Sequence, residues 1–348
     1  MNLEKLMIGP EASVRNTIEL IDSNQKKTAF IVDENGKLLG LFTDGDMRRY
    51  LLKNGDLGDS IDNAMNKNPI TFQSIKEAKE TMQSEKMIVY PIVDKNYRLI
   101  NAVFWNDTLE DRHISKELQD VPLIMMAGGK GTRLYPYTKI LPKPLIPIGD
   151  LTISERIINQ FVNYGCEEVW FILNHKANMI KAFYNDLEKD YRVNYVVERE
   201  FLGTGGGLSL LKDRVKSTFF VSNCDILINA DYECILRTHR QQQNVITLVC
   251  AMKNIVIPYG VISLDTSGKI AKMTEKPEYS YLTNTGLYVV EPEVIQDLKE
   301  DEFIHLPEIA QKYINQGKKV GVFPISEKNW LDMGQFTEME SMMKELGV

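Results

Sequence analysis

Between Ala127 and Pro147 the chain reads AGGKGTRLYPYTKILPKPLIP, a glycine-rich segment in which Arg133 and Lys143 supply cations. Gly128, Gly129 and Gly131 let a backbone turn sharply and bring its N–H groups close to something bulky and anionic. Pro136, Pro142, Pro144 and Pro147 stiffen the return. Glycines followed by fixed cations make a site for a polyphosphate. It is neither of two common loops. A P-loop needs Gly-Lys followed by Ser or Thr, and Gly129-Lys130 is followed by Gly131. A dinucleotide fingerprint needs a third glycine where Leu134 stands.

Further along, other residues with chemistry to offer recur beside turns. Glu198 precedes Leu202-Gly203-Thr204-Gly205-Gly206-Gly207, glycines that permit close backbone approach to a flat ring. A carboxylate only accepts hydrogen bonds, so Glu198 suits a base edge with two adjacent donors, as in guanine. Uracil and thymine, with one imide N–H between carbonyls, would suit Gln better. The alternative is that Glu198 caps the following turn or pairs with Arg199. Asn223-Cys224-Asp225 follows an apolar run, and an Asp at a strand end in a nucleotide site most often holds Mg²⁺. Cys224 reads as a tolerated small residue, since nothing nearby would depress its pKa. Tyr259-Gly260-Val261, Glu275-Lys276-Pro277 and Asn284-Thr285-Gly286 could serve a hydroxylated ring and its phosphate, although each tripeptide alone is common. His113, His175, His239 and His305 sit in no such context.

The elements that must position these residues are legible in the apolar pattern. Val121 to Met126 is a short continuous apolar run and predicts a buried parallel strand. Ile153, Ile157, Ile158 and Phe161 fall at helical spacing. Val169–Leu173, Val193–Val197 and Phe219–Val221 read as strands, with Leu208–Leu211 in a helix. That alternation predicts an α/β unit with a mostly parallel sheet covered on both faces. Ligands in such sheets bind beyond the carboxyl ends of the strands, where Glu198 and Asp225 fall.

The front of the chain repeats itself. Phe30–Asp33 with Gly36–Phe42 reads as strand, turn, strand, followed by a helix from about Asp46; Tyr90–Asp94 with Tyr97–Ile100 repeats it and ends near Asp107. Apolar residues at helical spacing precede each copy: Val14, Ile18 and Ile21 in one, Ile75, Ala78 and Met82 in the other. Neither copy is large enough to bury a core alone, so the two should pack as a pair. The expected division is 1–115 for this pair, 116–120 for a linker, and 121–348 for the α/β unit.

The totals agree. A chain of 348 residues with 43% hydrophobic content has room for two cores. A net charge of −7 advertises neither nucleic acid nor an anionic membrane, so a phosphate-bearing substrate needs local cations. No secretory leader, membrane-length apolar run or cysteine pair with zinc spacing is seen, and the expectation is a reduced, cytoplasmic protein.

The glycine-rich segment closely resembles the G-G-x-G-[ST]-R-L…P-K-P motif of the sugar-phosphate nucleotidyltransferases, and the order of the later motifs matches that family from Val121 to about Gly334. The resemblance implies a Rossmann-like, GT-A-like sheet. It also implies a nucleotide cradle of Ala127, Gly128, Gly129, Gly131, Thr132, Glu198, Gly203 and Thr204, and a sugar side of Gly260, Glu275, Asn284 and Thr285. Arg133, Lys143 and Lys276 become catalytic cations and Asp225 and Asp332 the ligands of Mg²⁺. Two departures stand out: Phe201 where the family has Pro, and Cys224 where it has Gly.

The front module resembles a tandem pair of CBS motifs. That resemblance implies an adenosine-nucleotide site in which Thr43 and Asp46 contact a ribose, or else a structural or dimerising role, Asp46 then being a helix N-cap. The second copy has Phe104 in place of Thr43. Together the two halves resemble the bacterial sugar-1-phosphate guanylyltransferases of surface-glycan pathways, those of legionaminic acid synthesis included. GTP and glucosamine 1-phosphate are the implied substrates, with mannose and heptose 1-phosphates or UTP and dTTP as alternatives. A homodimer and the lack of a C-terminal β-helix or acetyltransferase domain are further expectations. The reading from a different class is a nucleotide-sensing regulator that binds without turnover.

Overall fold

One structural motif is used twice in the front of the molecule. The computed structural model describes residues 3–24, 26–53, 55–78, 81, 89–104 and 116–348. It divides into two units, Met1–His113 and Ile114–Val348. In the first, β1 (Met7–Ile8) pairs in parallel with β2 (Thr28–Val32), which forms a hairpin with β3 (Leu38–Thr43). A second hairpin joins β4 (Val89–Val93) to β5 (Leu99–Phe104). The copies share a register shift, at Ile31/Val32 in one and Ile92/Val93 in the other. They also share a turn. Asp33 Oδ1 accepts from the N–H groups of Asn35 and Lys37 at 2.9 Å, and Asp94 Oδ1 from those of Asn96 and Arg98 at 2.8 Å. Leu38 N–H donates to Tyr97 O and Leu99 N–H to Gly36 O, both at 3.0 Å, so the turns clasp each other reciprocally. One core of Phe30, Leu41, Val89, Val93 and Phe104 serves both hairpins.

The helix Val14–Ser23 buries Val14, Ile18 and Ile21, as its spacing predicts. In the other copy Ala78 is buried but Ile75 is exposed, while Met82, Asp107 and His113 lie outside the described residues. The helix expected from about Asp46 begins at Asp44, because Thr43 and Asp46 cap it reciprocally. Thr43 N–H donates to Asp46 Oδ2 at 2.9 Å, and Asp46 N–H to Thr43 Oγ1 at 3.3 Å. Each of the two candidate ribose contacts is therefore bonded to the other.

The second unit is a seven-stranded sheet in the order β10-β9-β6-β11-β16-β13-β17. Here β6 is Leu123–Ala127, β9 Glu168–Leu173, β10 Arg192–Val197, β11 Phe219–Asn223, β13 Ile246–Val256, β16 Glu278–Val290 and β17 Val320–Ser326. All neighbours are parallel except β16, which runs against both β11 and β13. Two-stranded ribbons flank it: β7 (Pro147–Ile148) with β8 (Leu151–Thr152), β12 (Ile226–Ile228) with β18 (Trp330–Asp332), and β14 (Val261–Leu264) with β15 (Ile270–Thr274). No helix among the described residues is long and apolar enough to cross a membrane.

Every residue of β6 is buried, as its unbroken apolar run requires. Leu123, Met125 and Ala127 face a core shared with Ile157 and Phe161 of the helix Ile153–Val162. Ile124 and Met126 face the opposite core, with Leu208, Leu211 and Ile309. The segment Gly206–Leu211 is a 3₁₀ helix, because glycines open it and it packs tightly on the chain near Glu302. Leu118, in the expected linker, is fully buried in this unit's core and donates its N–H to Tyr164 O. Since β9 and β11 flank β6 on opposite sides, the chain leaves a crevice beyond the carboxyl end of β6.

Candidate active site

Beyond β6 the glycine-rich loop is held open from behind. Gly131 adopts φ +64°, and a Cβ there would stand 2.9 Å from Thr138 Cγ2 and 3.3 Å from Lys143 Cβ. Thr138 Oγ1 donates back to Gly131 O at 2.9 Å. Gly129 has nothing within 4 Å of where a Cβ would be, so its backbone is open to an incoming group. Thr132–Leu134 forms a single 3₁₀ turn that carries Arg133 outward. Among the described residues Arg133 has no ion-pair partner, so its guanidinium is free for an anion.

Lys143 leads the turn Lys143–Leu145 and reaches across to Asp225, with which it forms an ion pair. Asp225 follows β11, and the ladder between β12 and β18 pairs Ile226 with Asp332. Met333 N–H donates to Asp225 O at 2.8 Å, locking the two aspartates side by side. Burial, followed by the charge of Asp225, holds the Asp332 carboxyl above its ordinary range, while the Lys143 ammonium acts the other way. The Asp225 charge felt by Asp332 favours cationic charge nearby, which the Lys143 ammonium supplies. Among the described residues no group of three or more His, Cys, Asp or Glu side chains is arranged to hold a metal ion, and Asp225 and Asp332 offer two carboxylates. Mg²⁺ suits such a pair, because it keeps several waters and takes its remaining oxygens from substrate phosphates. Burial and the Asp225 charge push the Cys224 thiol up to about 12. It is protonated near neutrality and is no nucleophile.

Glu198 follows β10 and is only 3% exposed. Its Oε1 accepts weakly from Leu202 N–H at 3.4 Å, whereas Oε2 is buried with no partner. Gly128 and Gly207 flank it: a Cβ on either would lie 2.5 Å from a carboxylate oxygen. Burial pushes the acid up to about 7. A buried acceptor left unmatched costs stability, and a donor brought by a ligand would relieve it.

Two of the glycines after Glu198 lie against the protein's own backbone. A Cβ on Gly203, which has φ +83°, would stand 2.6 Å from Ile304 O, and one on Gly206 2.1 Å from Glu302 O. These glycines admit the protein's own backbone. Thr204 N–H donates to His305 Nδ1 at 3.2 Å, and Thr204 Oγ1 accepts from Leu306 N–H at 3.3 Å.

On the sugar side, Glu275 and Lys276 stand exposed just past β15, and Lys276 has no ion-pair partner among the described residues. A Cβ on Gly260 would lie 3.0 Å from Glu275 Oε2, which brings those two tripeptides together. Asn284-Thr285-Gly286 forms a bulge where β13 shifts register between Val249 and Cys250. Thr285 is buried and donates to Val249 O at 2.7 Å; Asn284 donates to the Tyr288 hydroxyl. A Cβ on Gly286 would lie 2.5 Å from Asn223 Nδ2, so the bulge abuts the Asn223-Cys224-Asp225 turn.

No sequence signal marks Lys176, and only a helix-start signature marks His305. Lys176, at φ +53°, donates to the carbonyls of Thr138, Lys139 and Ile140 at 2.8, 2.7 and 2.9 Å and so fastens the segment between Arg133 and Lys143. His305 precedes Leu-Pro-Glu, a helix-start signature that could have placed it, and its N–H donates to Glu308 Oε2 at 2.7 Å. His239, by contrast, is a core histidine, bonded to Thr247 and Glu291.

A model of the family described as nucleotidyl transferase matches residues 122–347, and one of the CBS domain matches residues 1–53. Among curated proteins the chain is similar to the mannose-1-phosphate guanyltransferase of Saccharomyces cerevisiae, 32% identical over 221 residues covering 61% of each chain. It is 28% identical over 232 residues to the UTP–glucose-1-phosphate uridylyltransferase of Synechocystis, covering 61% of this chain and 60% of that one. It is 31% identical over 224 residues to the bifunctional protein GlmU of Methanococcus maripaludis, covering 61% and 51%. The chain thus spans 51–61% of the length of these relatives. Among solved structures, HddC from Yersinia pseudotuberculosis shares the fold with a TM-score of 0.51 and 21% identity, over 65% of this chain and 99% of that one.

Proposed function

The chain belongs to the nucleotidyl transferase family, and on that premise we propose that it condenses GTP with a sugar 1-phosphate, releasing pyrophosphate. A phosphate oxygen of the sugar phosphate attacks the α-phosphorus of GTP. The bond from that phosphorus to the oxygen bridging toward the β-phosphate breaks, and that oxygen leaves with pyrophosphate. No covalent enzyme intermediate is needed, so rate comes from positioning and charge neutralisation. Arg133 meets the β- and γ-phosphates and takes up charge on the leaving group. Lys143 stands at the α-phosphate, and Lys276 draws in the sugar phosphate. Gly129 donates its N–H along the open face of the loop. Asp225 and Asp332 would hold Mg²⁺, which supplies positive charge to the phosphate oxygens.

The observation that carries this reading is the Lys143–Asp225–Asp332 arrangement, a cation and two carboxylates joined across the carboxyl ends of the strands. The choice of guanine rests on Glu198 Oε2, a buried acceptor with no partner. The guanyltransferase relative supports it, as does a structure of HddC complexed with GMP-PN. One observation favours a second reading: a Glu198 acid near 7 is partly protonated at neutral pH, and a protonated carboxyl donates and accepts as Gln does. Uracil would then be served, as in the uridylyltransferase relative. Glucosamine 1-phosphate is the proposed sugar, for surface-glycan or legionaminic acid synthesis. For the front unit we propose a structural role, supported by the mutual capping of Thr43 and Asp46. Phosphorus NMR of GTP mixed with glucosamine 1-phosphate tests the reaction: new diphosphate resonances beside those of pyrophosphate are expected, and unchanged GTP in the presence of every sugar phosphate contradicts it.

A further inference from the structure

We infer that Phe201 is the platform on which the nucleobase stacks, and that this ring, where the resembling family has Pro, makes the site selective for a purine. The inference rests on the nucleotide reading of Glu198. Phe201 is 43% exposed and Phe303 60% exposed, and the two rings meet edge to face at 6.2 Å between centroids. Single exposed phenylalanines need no explanation, but Phe201 borders an unsatisfied buried acceptor. A Cβ on Gly128 would lie 2.5 Å from Glu198 Oε2 and 3.5 Å from Phe201 Cδ2. The glycine, the carboxylate and the ring therefore converge on one point, where only the missing Cβ leaves room. A flat group that reaches Oε2 passes beside the Phe201 ring.

The platform is fixed before any ligand arrives. Ile304 N–H donates to Leu202 O at 3.1 Å, and the N–H groups of Gly205 and Gly206 donate to Ile304 O at 3.0 and 3.1 Å. These bonds tie the residue after Phe201 to the residue after Phe303. Phe303 is backed in turn by the His305 ring at 5.1 Å. This gives the loop glycines their purpose: they let the two aromatic segments run close enough to share a surface. A bicyclic purine covers more of such a surface than a pyrimidine does, while its edge meets the carboxylate.

The test compares the full chain with Phe201→Leu and Phe201→Tyr, measuring binding of GTP, UTP and inorganic tripolyphosphate by calorimetry. Base stacking on an aromatic side chain corresponds to ~5- to 150-fold in affinity. Phe201→Leu should weaken GTP about tenfold or more and leave tripolyphosphate, which has no base, within twofold. Phe201→Tyr should bind GTP like the native chain, and Phe303→Leu should lose a smaller factor. Equal binding of GTP by Phe201→Leu and the native chain overturns the inference, as does an equal loss for GTP and tripolyphosphate. A native chain that binds UTP but not GTP sinks the guanine reading and, with it, the purine selectivity claimed for the ring.

Discussion

The Lys143 ammonium is paired with the Asp225 carboxylate, although the two residues lie on separate segments brought together only by the fold, with side chains 14% and 20% exposed. In the proposed reaction the ammonium would turn to the α-phosphate, leaving Asp225 and Asp332 to hold Mg²⁺. Lys143→Ala should lower turnover by ~10²–10³-fold while the chain stays folded. The variant also leaves Asp225 and Asp332 side by side without a cation. Its thermal unfolding temperature should therefore rise with added Mg²⁺ more than that of the native chain does. An Asp225→Asn, Asp332→Asn double variant should lose that response, which calorimetric or fluorescence unfolding would report without reference to activity.

Glu198 gives a pH dependence with a definite sign. Its acid is raised to about 7 in the folded chain, so the folded state favours the protonated form. Its contribution to stability is complete at acid pH and is lost as pH rises through about 7. Glu198→Gln should match the native chain in stability near pH 4 and exceed it at pH 8, by ~1–3 kcal/mol in denaturant unfolding. Affinity for GTP runs the other way. The native KM for GTP should fall as pH rises through 7 and the carboxylate forms, whereas Glu198→Gln should show a flat KM and a shift toward UTP.

Lys176 is a positioning residue whose ammonium spends its hydrogen bonds on the carbonyls of Thr138, Lys139 and Ile140. Lys176→Met should cost ~1–3 kcal/mol of stability. It should also raise the KM for nucleotide more than it lowers kcat, and Lys176→Arg should restore part of both. A stability loss with unchanged kinetics would make the lysine a scaffold element only.

Two glycines separate packing from ligand approach. Gly203 has φ +83° and Ile304 O at 2.6 Å from a would-be Cβ, so Gly203→Ala should destabilise by ~2 kcal/mol or more. Gly129 has open space, so Gly129→Ala should unfold within ~0.5 kcal/mol of the native chain. If the loop cradles phosphates, that same variant should bind nucleotide several-fold more weakly.

Much of this was legible before the structure, for reasons that can be named. The apolar run before Gly128 had to be buried on both faces, and β6 is. The spacing of Ile153, Ile157 and Phe161 specified a helix, and the Thr152–Glu155 capping box starts it. The duplicated front hairpins showed as a repeat because each turn needs the same Asp, Asp33 or Asp94. What stayed hidden depended on contacts distant in the chain. Gly203 and Gly206 look like part of a ligand loop in sequence, yet a Cβ on them would meet Ile304 and Glu302, about a hundred residues onward. Helix periodicity at Leu208–Leu211 could not show that glycine entry and this packing would tighten the turn to 3₁₀. Thr285 resembled a sugar contact, but its hydroxyl is bonded to Val249 O within the bulge.

The most direct measurement is pyrophosphate release with Mg²⁺, offering GTP, UTP and dTTP in turn with glucosamine, mannose and glucose 1-phosphates, for the native chain and Lys143→Ala. Release from GTP with one of the sugars, lost in Lys143→Ala, is the predicted result. Release that persists undiminished in Lys143→Ala, or no release from any pair, would contradict the catalytic role given to the Lys143–Asp225–Asp332 site.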